Sequence, residues 1–174
     1  MNAGEFIVMD IETAGGNWSS FPQGFDLLMA GTRTNQVYGA YTATPESLAE
    51  LASLLDFWNG PVVTFNGLRF DVPVLDHWLT KIAGRRLIIR NHYDLFAEIK
   101  RKTNRPISLN RLSRYTFGEE KQPWDHRDNA RSWAEKPELM IDYNRVDLDL
   151  TYELFMRVLR GEPLFMDDTT VILD

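Results

Sequence analysis

Cysteine is absent from the 174 residues. That excludes disulfides, zinc–thiolate centres and a cysteine nucleophile, and it is compatible with a reducing compartment. Long apolar runs are missing too: no stretch approaches the roughly 18 residues of a membrane span. The opening Met1-Asn2-Ala3-Gly4-Glu5 lacks the basic start and apolar run of a signal peptide. The expectation is a cytoplasmic protein with no membrane partner. Internal repeats and low-complexity segments are also missing. The three histidines, His77, His92 and His126, have no metal-ligand spacing and read as structural or surface residues.

Hydrophobic residues make up 44% and charged residues 25%, the balance of an ordinary globular chain. The length fits one domain, 1–174, with a sizeable core. The net charge of −6 disfavours nucleic acid as a partner only on average. Between residues 81 and 114 ten basic side chains stand against two acids, Asp94 and Glu98. A basic stripe on an acidic body can track a phosphate backbone. It can equally be a set of solvated helix faces.

Phe6-Ile7-Val8-Met9 is a continuous apolar run, so Glu5 to Glu12 reads as a buried central strand. Residues 14–24, with Gly15-Gly16, Asn17 and Pro22, read as a loop. Phe25 to Thr32 and Gln36 to Thr42 predict two strands joined by a short turn. Thr44-Pro45-Glu46 starts a helix, continued by Leu48, Leu51, Ala52, Leu55 and Trp58 at helical spacing. Val62 to Phe65 is a short strand ended by Asn66-Gly67. A helix follows from about Phe70 to Leu79, with Pro73 in its first turn. Arg86 to Arg90 predicts another strand, and Asp94–Lys102 and Ser108–Tyr115 predict helices. Residues 117–137 read as irregular, and Pro137 opens the longest helix, to about Arg160. The tail, residues 161–174, suggests a strand or a hairpin around Asp167-Asp168. The fold class is therefore α/β: a mixed central sheet, antiparallel meander plus parallel strands, flanked by helices.

Three short stretches carry chemistry. Asp10 and Glu12 alternate along a strand and so share a face. Right after a buried apolar run, such a pair is costly without a compensating cation; alone, it more often marks a strand ending in solvent. Asn66 and Phe70-Asp71 span a strand end and the next helix start, where functional residues concentrate; an Asp there is also a common cap. Tyr143 and Asp147 are four apart on the long helix, hence on one face; alone, they suggest a structural hydrogen bond. Together the three supply four carboxylates, one amide and one phenol. Four converging carboxylates suit two divalent cations facing a phosphodiester.

In this order and on these elements the motifs closely resemble the DEDD superfamily of 3′-to-5′ exonucleases, over roughly residues 5–160. The family patterns D-x-E, N-x(2–3)-F/Y-D and Y-x-x-x-D are matched by Asp10-Ile11-Glu12, by Asn66 to Asp71 and by Tyr143 to Asp147. The histidine variant of the third motif would need histidine at position 142, which is Asp142. The chain thus resembles the tyrosine branch, most of all the proofreading domain of family B DNA polymerases and its free-standing relatives. His92-Tyr93-Asp94-Leu95 and Ile107-Ser108-Leu109 add to that likeness.

The resemblance implies a ribonuclease H-like fold in which the first strand is central and carries acids at its end. It implies that Asp10, Glu12, Asp71 and Asp147 ligate two Mg²⁺ or Mn²⁺ ions and that Tyr143 orients the attacking water. A phenol stays protonated at neutral pH, which suits positioning better than general-base work. It implies further that Asn66, Phe70 and Thr13 contact the substrate, although Phe70 reads equally well as a core aromatic. The partner implied is nucleic acid, with single-stranded DNA 3′ ends favoured; a polymerase or helicase partner is left open. The alternatives are a ribonuclease H-like endonuclease, an exoribonuclease and a non-catalytic nucleic-acid-binding module. Trp18 and Phe21, in the loop after the first acids, can stack on a base or fold back on the core. Asp94 is a candidate for a place near the metals, but reads better as a helix cap.

Overall fold

The computed structural model describes residues 5–118 and 124–174. Its centre is β1, Ile7–Gly15, which pairs antiparallel with β2, Phe25–Arg33, and parallel with β4, Val62–Thr64. β3, Tyr38–Thr42, lies outside β2, and β5, His92–Asp94, outside β4, giving the order β3-β2-β1-β4-β5. This is the expected mixed sheet with the first strand in the middle.

Alternation along β1 divides the core. Ile7, Met9 and Ile11 face α1, Pro45–Phe57, and α2, Asp71–Ala83, through Leu48, Leu51, Leu55, Val74 and Leu75. Phe6 and Val8 face the other way. They pack with Leu95 and Ile99 of α3, Leu95–Thr103, Leu112 of α4, Leu109–Phe117, and Leu148, Leu154 and Phe155 of α6, Pro137–Leu159. A hairpin of β6, Leu164–Phe165, and β7, Thr170–Val171, closes this second layer with Leu164, Val171 and Leu173. Each fully buried Leu or Phe contributes roughly 1.5–3 kcal/mol of transfer free energy.

Three expectations are corrected. β1 runs beyond Glu12 to Gly15, and its register with β2 slips between Glu12 and Thr13. Residues 86–90 are not a strand: Leu87 and Ile89 pack on the α1–α2 layer, and the edge strand forms at His92–Asp94 instead. Asp76 holds that passage by accepting from Leu87 N at 2.9 Å and from Arg86 Nε at 2.9 Å. Part of the supposedly irregular stretch, residues 117–137, is helical. It contains a 3-10 turn, His126–Asp128, and α5, Asn129–Glu135; residues 119–123 lie outside the described residues. Asn129 is buried at the start of α5 and bonds across to β1, so a tertiary anchor stabilises a helix with little sequence signature.

One acid organises two connections. Asp94, at the end of β5, caps α3 by accepting from Ala97 N at 3.1 Å. It also accepts from Asn66 N at 2.9 Å and Leu68 N at 2.8 Å, tying down the turn between β4 and α2. Asn66 has φ +66°, a left-handed conformation that asparagine tolerates better than most residues. Asp94→Ala is expected to lower stability by about 2–5 kcal/mol, since it removes a cap and strands two backbone donors. Urea unfolding checks this; a loss within error of zero would contradict the role given to Asp94.

Candidate active site

On the α6 face of β1 the apolar residues Phe6 and Val8 give way to Asp10 and Glu12. β4 pairs with β1 only at Ile7 and Val8 and ends at Thr64. A cavity of about 420 Å³ opens there, the position at the carboxyl ends of strands where open α/β sheets bind ligands. Its walls include Asp10, Glu12, Asn66, Phe70, Asp71, Tyr143 and Asp147. All three sequence motifs therefore meet in one cavity.

Asp10, Glu12 and Asp147 each turn a carboxylate oxygen into one cluster, with these atoms within 4.8 Å of one another. Glu12 is 4% exposed. Asp71 is just as buried, at 5%, and anchors to the same strand by accepting from Ile11 N at 3.1 Å. It stands outside the compact triad, next to Asp10. Hard oxygen donors crowded in this way fit a divalent cation such as Mg²⁺ or Mn²⁺.

Asn66 lines the cavity, its backbone held by Asp94. Gly67 must be glycine because a Cβ would lie 2.6 Å from Thr64 Oγ1. Phe70 lines the cavity and also joins an aromatic group. Its ring meets Phe25 edge-on at 5.0 Å and Trp18 at 5.7 Å, and Trp18 stacks on Phe21 at 5.3 Å. The loop aromatics thus fold onto their neighbours, although Trp18 stays 65% exposed. Thr13 is half-buried; its carbonyl accepts from Asn129 Nδ2 at 2.7 Å, and its side chain is not among those lining the cavity.

Tyr143 is held by residues the sequence motifs do not mark. Its ring stacks on Trp124 at 4.8 Å, and His126 meets it edge-on at 5.9 Å. Trp124 Nε1 donates to Asn129 Oδ1 at 2.7 Å, so Thr13, Asn129 and Trp124 link the first acidic strand to the tyrosine. His126 lines the cavity rather than lying away from it. Nothing in its spacing could have shown this, because its approach depends on the fold of the stretch before α6.

The basic residues 81–114 do not form one stripe. Arg86 pairs with Asp76 and Arg90 with Asp56, on the α1–α2 side. Lys102, Arg105 and Arg111 pair with Asp174, Asp168 and Asp167 around the C-terminal hairpin. Such exposed pairs stabilise little.

A family model described as the RNase_H superfamily matches residues 7–158. No curated protein matches the chain. Among solved structures, a family B DNA polymerase from the hyperthermophilic archaeon Pyrobaculum calidifontis shares the fold, with TM-score 0.72 and 15% identity. The match covers 89% of this chain but 24% of the polymerase, so the chain spans about a quarter of that protein's length. Among the described residues, no helix is long and apolar enough to cross a membrane.

Without a bound cation, burial pushes the Asp71 carboxyl up to about 7, with Asp94 adding to the rise and the Ile11 N–H opposing it. The folded protein then keeps a proton that the unfolded chain loses above the ordinary value of 3.8. Stability from this group is therefore unaffected below that value, declines as pH rises through about 7, and levels off above. EDTA-treated protein should melt at a lower temperature at about pH 8 than at about pH 5, and Mn²⁺ should narrow the gap. A melting temperature in EDTA that rises over that interval would contradict the assignment.

Proposed function

The chain belongs to the RNase H superfamily, and from that premise we propose that it is a metal-dependent 3′-to-5′ exonuclease of the tyrosine DEDD branch, acting as one domain. Its preferred substrate is a single-stranded DNA 3′ end. The observation that carries this reading is the meeting of the three motifs in one cavity, with Asp10, Glu12 and Asp147 clustered.

Asp10, Glu12, Asp71 and Asp147 would hold two divalent cations. When bound, such ions supply Lewis-acid activation of water and stabilisation of developing negative charge. Tyr143 orients the attacking water by a hydrogen bond from a ring that Trp124 holds in place. Asn66 and Phe70 hold the terminal nucleotide against the cavity wall. The water oxygen bonds to phosphorus, the bond to the 3′ oxygen breaks, and that oxygen leaves with a proton as a new 3′ hydroxyl. The product is a nucleoside 5′-monophosphate.

Digestion of 5′-labelled single strands with Mg²⁺ or Mn²⁺ should yield a ladder shortening from the 3′ end, and EDTA should abolish it. A 3′-blocked strand and a circle should resist. Cleavage of the circle would favour an endonuclease, and full activity in EDTA would end the metal reading. Matched RNA strands test the preference for DNA.

Asp147→Asn should lower turnover by several orders of magnitude in a folded protein, because it weakens a ligand on which water activation and charge stabilisation both depend. Tyr143→Phe keeps the packing against Trp124 and loses only the hydroxyl, so its expected loss is smaller, roughly 10²–10⁴-fold. Single-turnover rates decide this; an unchanged rate in Tyr143→Phe would leave the tyrosine a structural role only.

A further inference from the structure

We propose that Asn144 is a positioning residue for Asp10, and that Gly31 is glycine so that Asn144 can reach it. The inference rests on the metal-dependent reading of the site. Asn144 follows Tyr143 on α6 but points into the protein, 1% exposed. Its Nδ2 donates to Asp10 Oδ2 at 2.8 Å. Gly31 is the residue of β2 directly opposite Asp10 on β1. A Cβ on Gly31 would lie 1.8 Å from Asn144 Oδ1 and 2.9 Å from Leu148 Cδ1. The amide thus occupies the space that a cross-strand side chain would fill. Any side chain at position 31 would push it away from Asp10.

The chemistry of the donor matters. A carboxylate crowded by Glu12 and Asp147 would swing apart from them unless a donor fixes its plane. A lysine or arginine would do so, but its charge would compete with a cation for the same oxygens. A neutral amide fixes one oxygen of Asp10 and leaves the charge of the cluster intact. Burying that amide is costly unless it is hydrogen-bonded, so Asn144 and Asp10 also hold each other in register. The Asn144–Asp10 bond joins the first motif to the third and spans 134 residues of sequence.

The test is Mn²⁺ affinity, read by calorimetry or by the electron paramagnetic resonance of free Mn²⁺, together with thermal melting. Asn144→Ala should weaken Mn²⁺ binding by roughly 10–100-fold, the scale of losses at outer partners of metal ligands. Gly31→Ala should act in the same direction by displacing the amide. In the Asn144→Ala, Gly31→Ala double variant the new methyl fills the space the amide leaves. Melting temperature should recover towards wild type while Mn²⁺ affinity stays weak. This variant gives the decisive reading if either single variant fails to fold. Wild-type Mn²⁺ affinity in folded Asn144→Ala, or recovery of affinity in the double variant, overturns the proposal and leaves Asn144 a packing role. Failure of the wild-type protein to take up Mn²⁺ overturns the metal reading and this inference with it.

Discussion

Like charge at the end of a buried strand is the constraint on which this structure depends. β1 is central to the sheet, and its α6 face passes from Phe6 and Val8 to Asp10 and Glu12. α6 brings Asp147 to the same place, and α2 begins with buried Asp71 beside Asp10. Carboxylates taken from water into such a cluster repel one another and favour proton uptake. The rise of the Asp71 carboxyl to about 7 expresses the burial part of that cost, with Asp94 adding to it. A cation that compensated it would convert the cost into affinity, because a site organised before binding gives up less to bind.

The surroundings hold this arrangement through neutral donors and backbone. Ile11 N–H steadies Asp71, and the Asn144 amide steadies Asp10. Asp94 gathers Asn66 N, Leu68 N and Ala97 N, so the turn carrying the second motif and the start of α3 depend on one carboxylate. Asn129 and Trp124 reach from Thr13 O to the ring of Tyr143. The Ile11–Asp71 and Asn144–Asp10 bonds join one motif directly to another, while Asp94 and Asn129 bond to motif-bearing segments from neighbouring elements. The geometry is therefore built at the junctions of elements, where one side chain serves two.

The central strand, the antiparallel meander, α1, the long α6 and the C-terminal hairpin were legible because apolar periodicity and caps such as Thr44-Pro45 act locally. The motif residues were legible because charge next to a buried run is rarely accidental in company. Residues 86–90 misled because Leu87-Ile88-Ile89 is apolar in strand fashion, while the pairing partner of β4 is His92–Asp94. α5 was hidden because its anchor, Asn129 on Thr13 O, is tertiary. Gly31 and Asn144 gave no signal apart, since their meaning lies in facing each other across β2 and α6. The basic segment read as one stripe only while its partners were unknown; folding divides it between Asp76 and Asp56 on one side and the hairpin acids on the other.

The most direct measurement of the central claim is anomalous diffraction from crystals soaked in Mn²⁺. The account predicts Mn²⁺ peaks bounded by Asp10, Glu12 and Asp147, with Asp71 ionised and drawn towards them. An ordered site without Mn²⁺ at saturating concentration, with the acids instead protonated or bonded to one another, would contradict it.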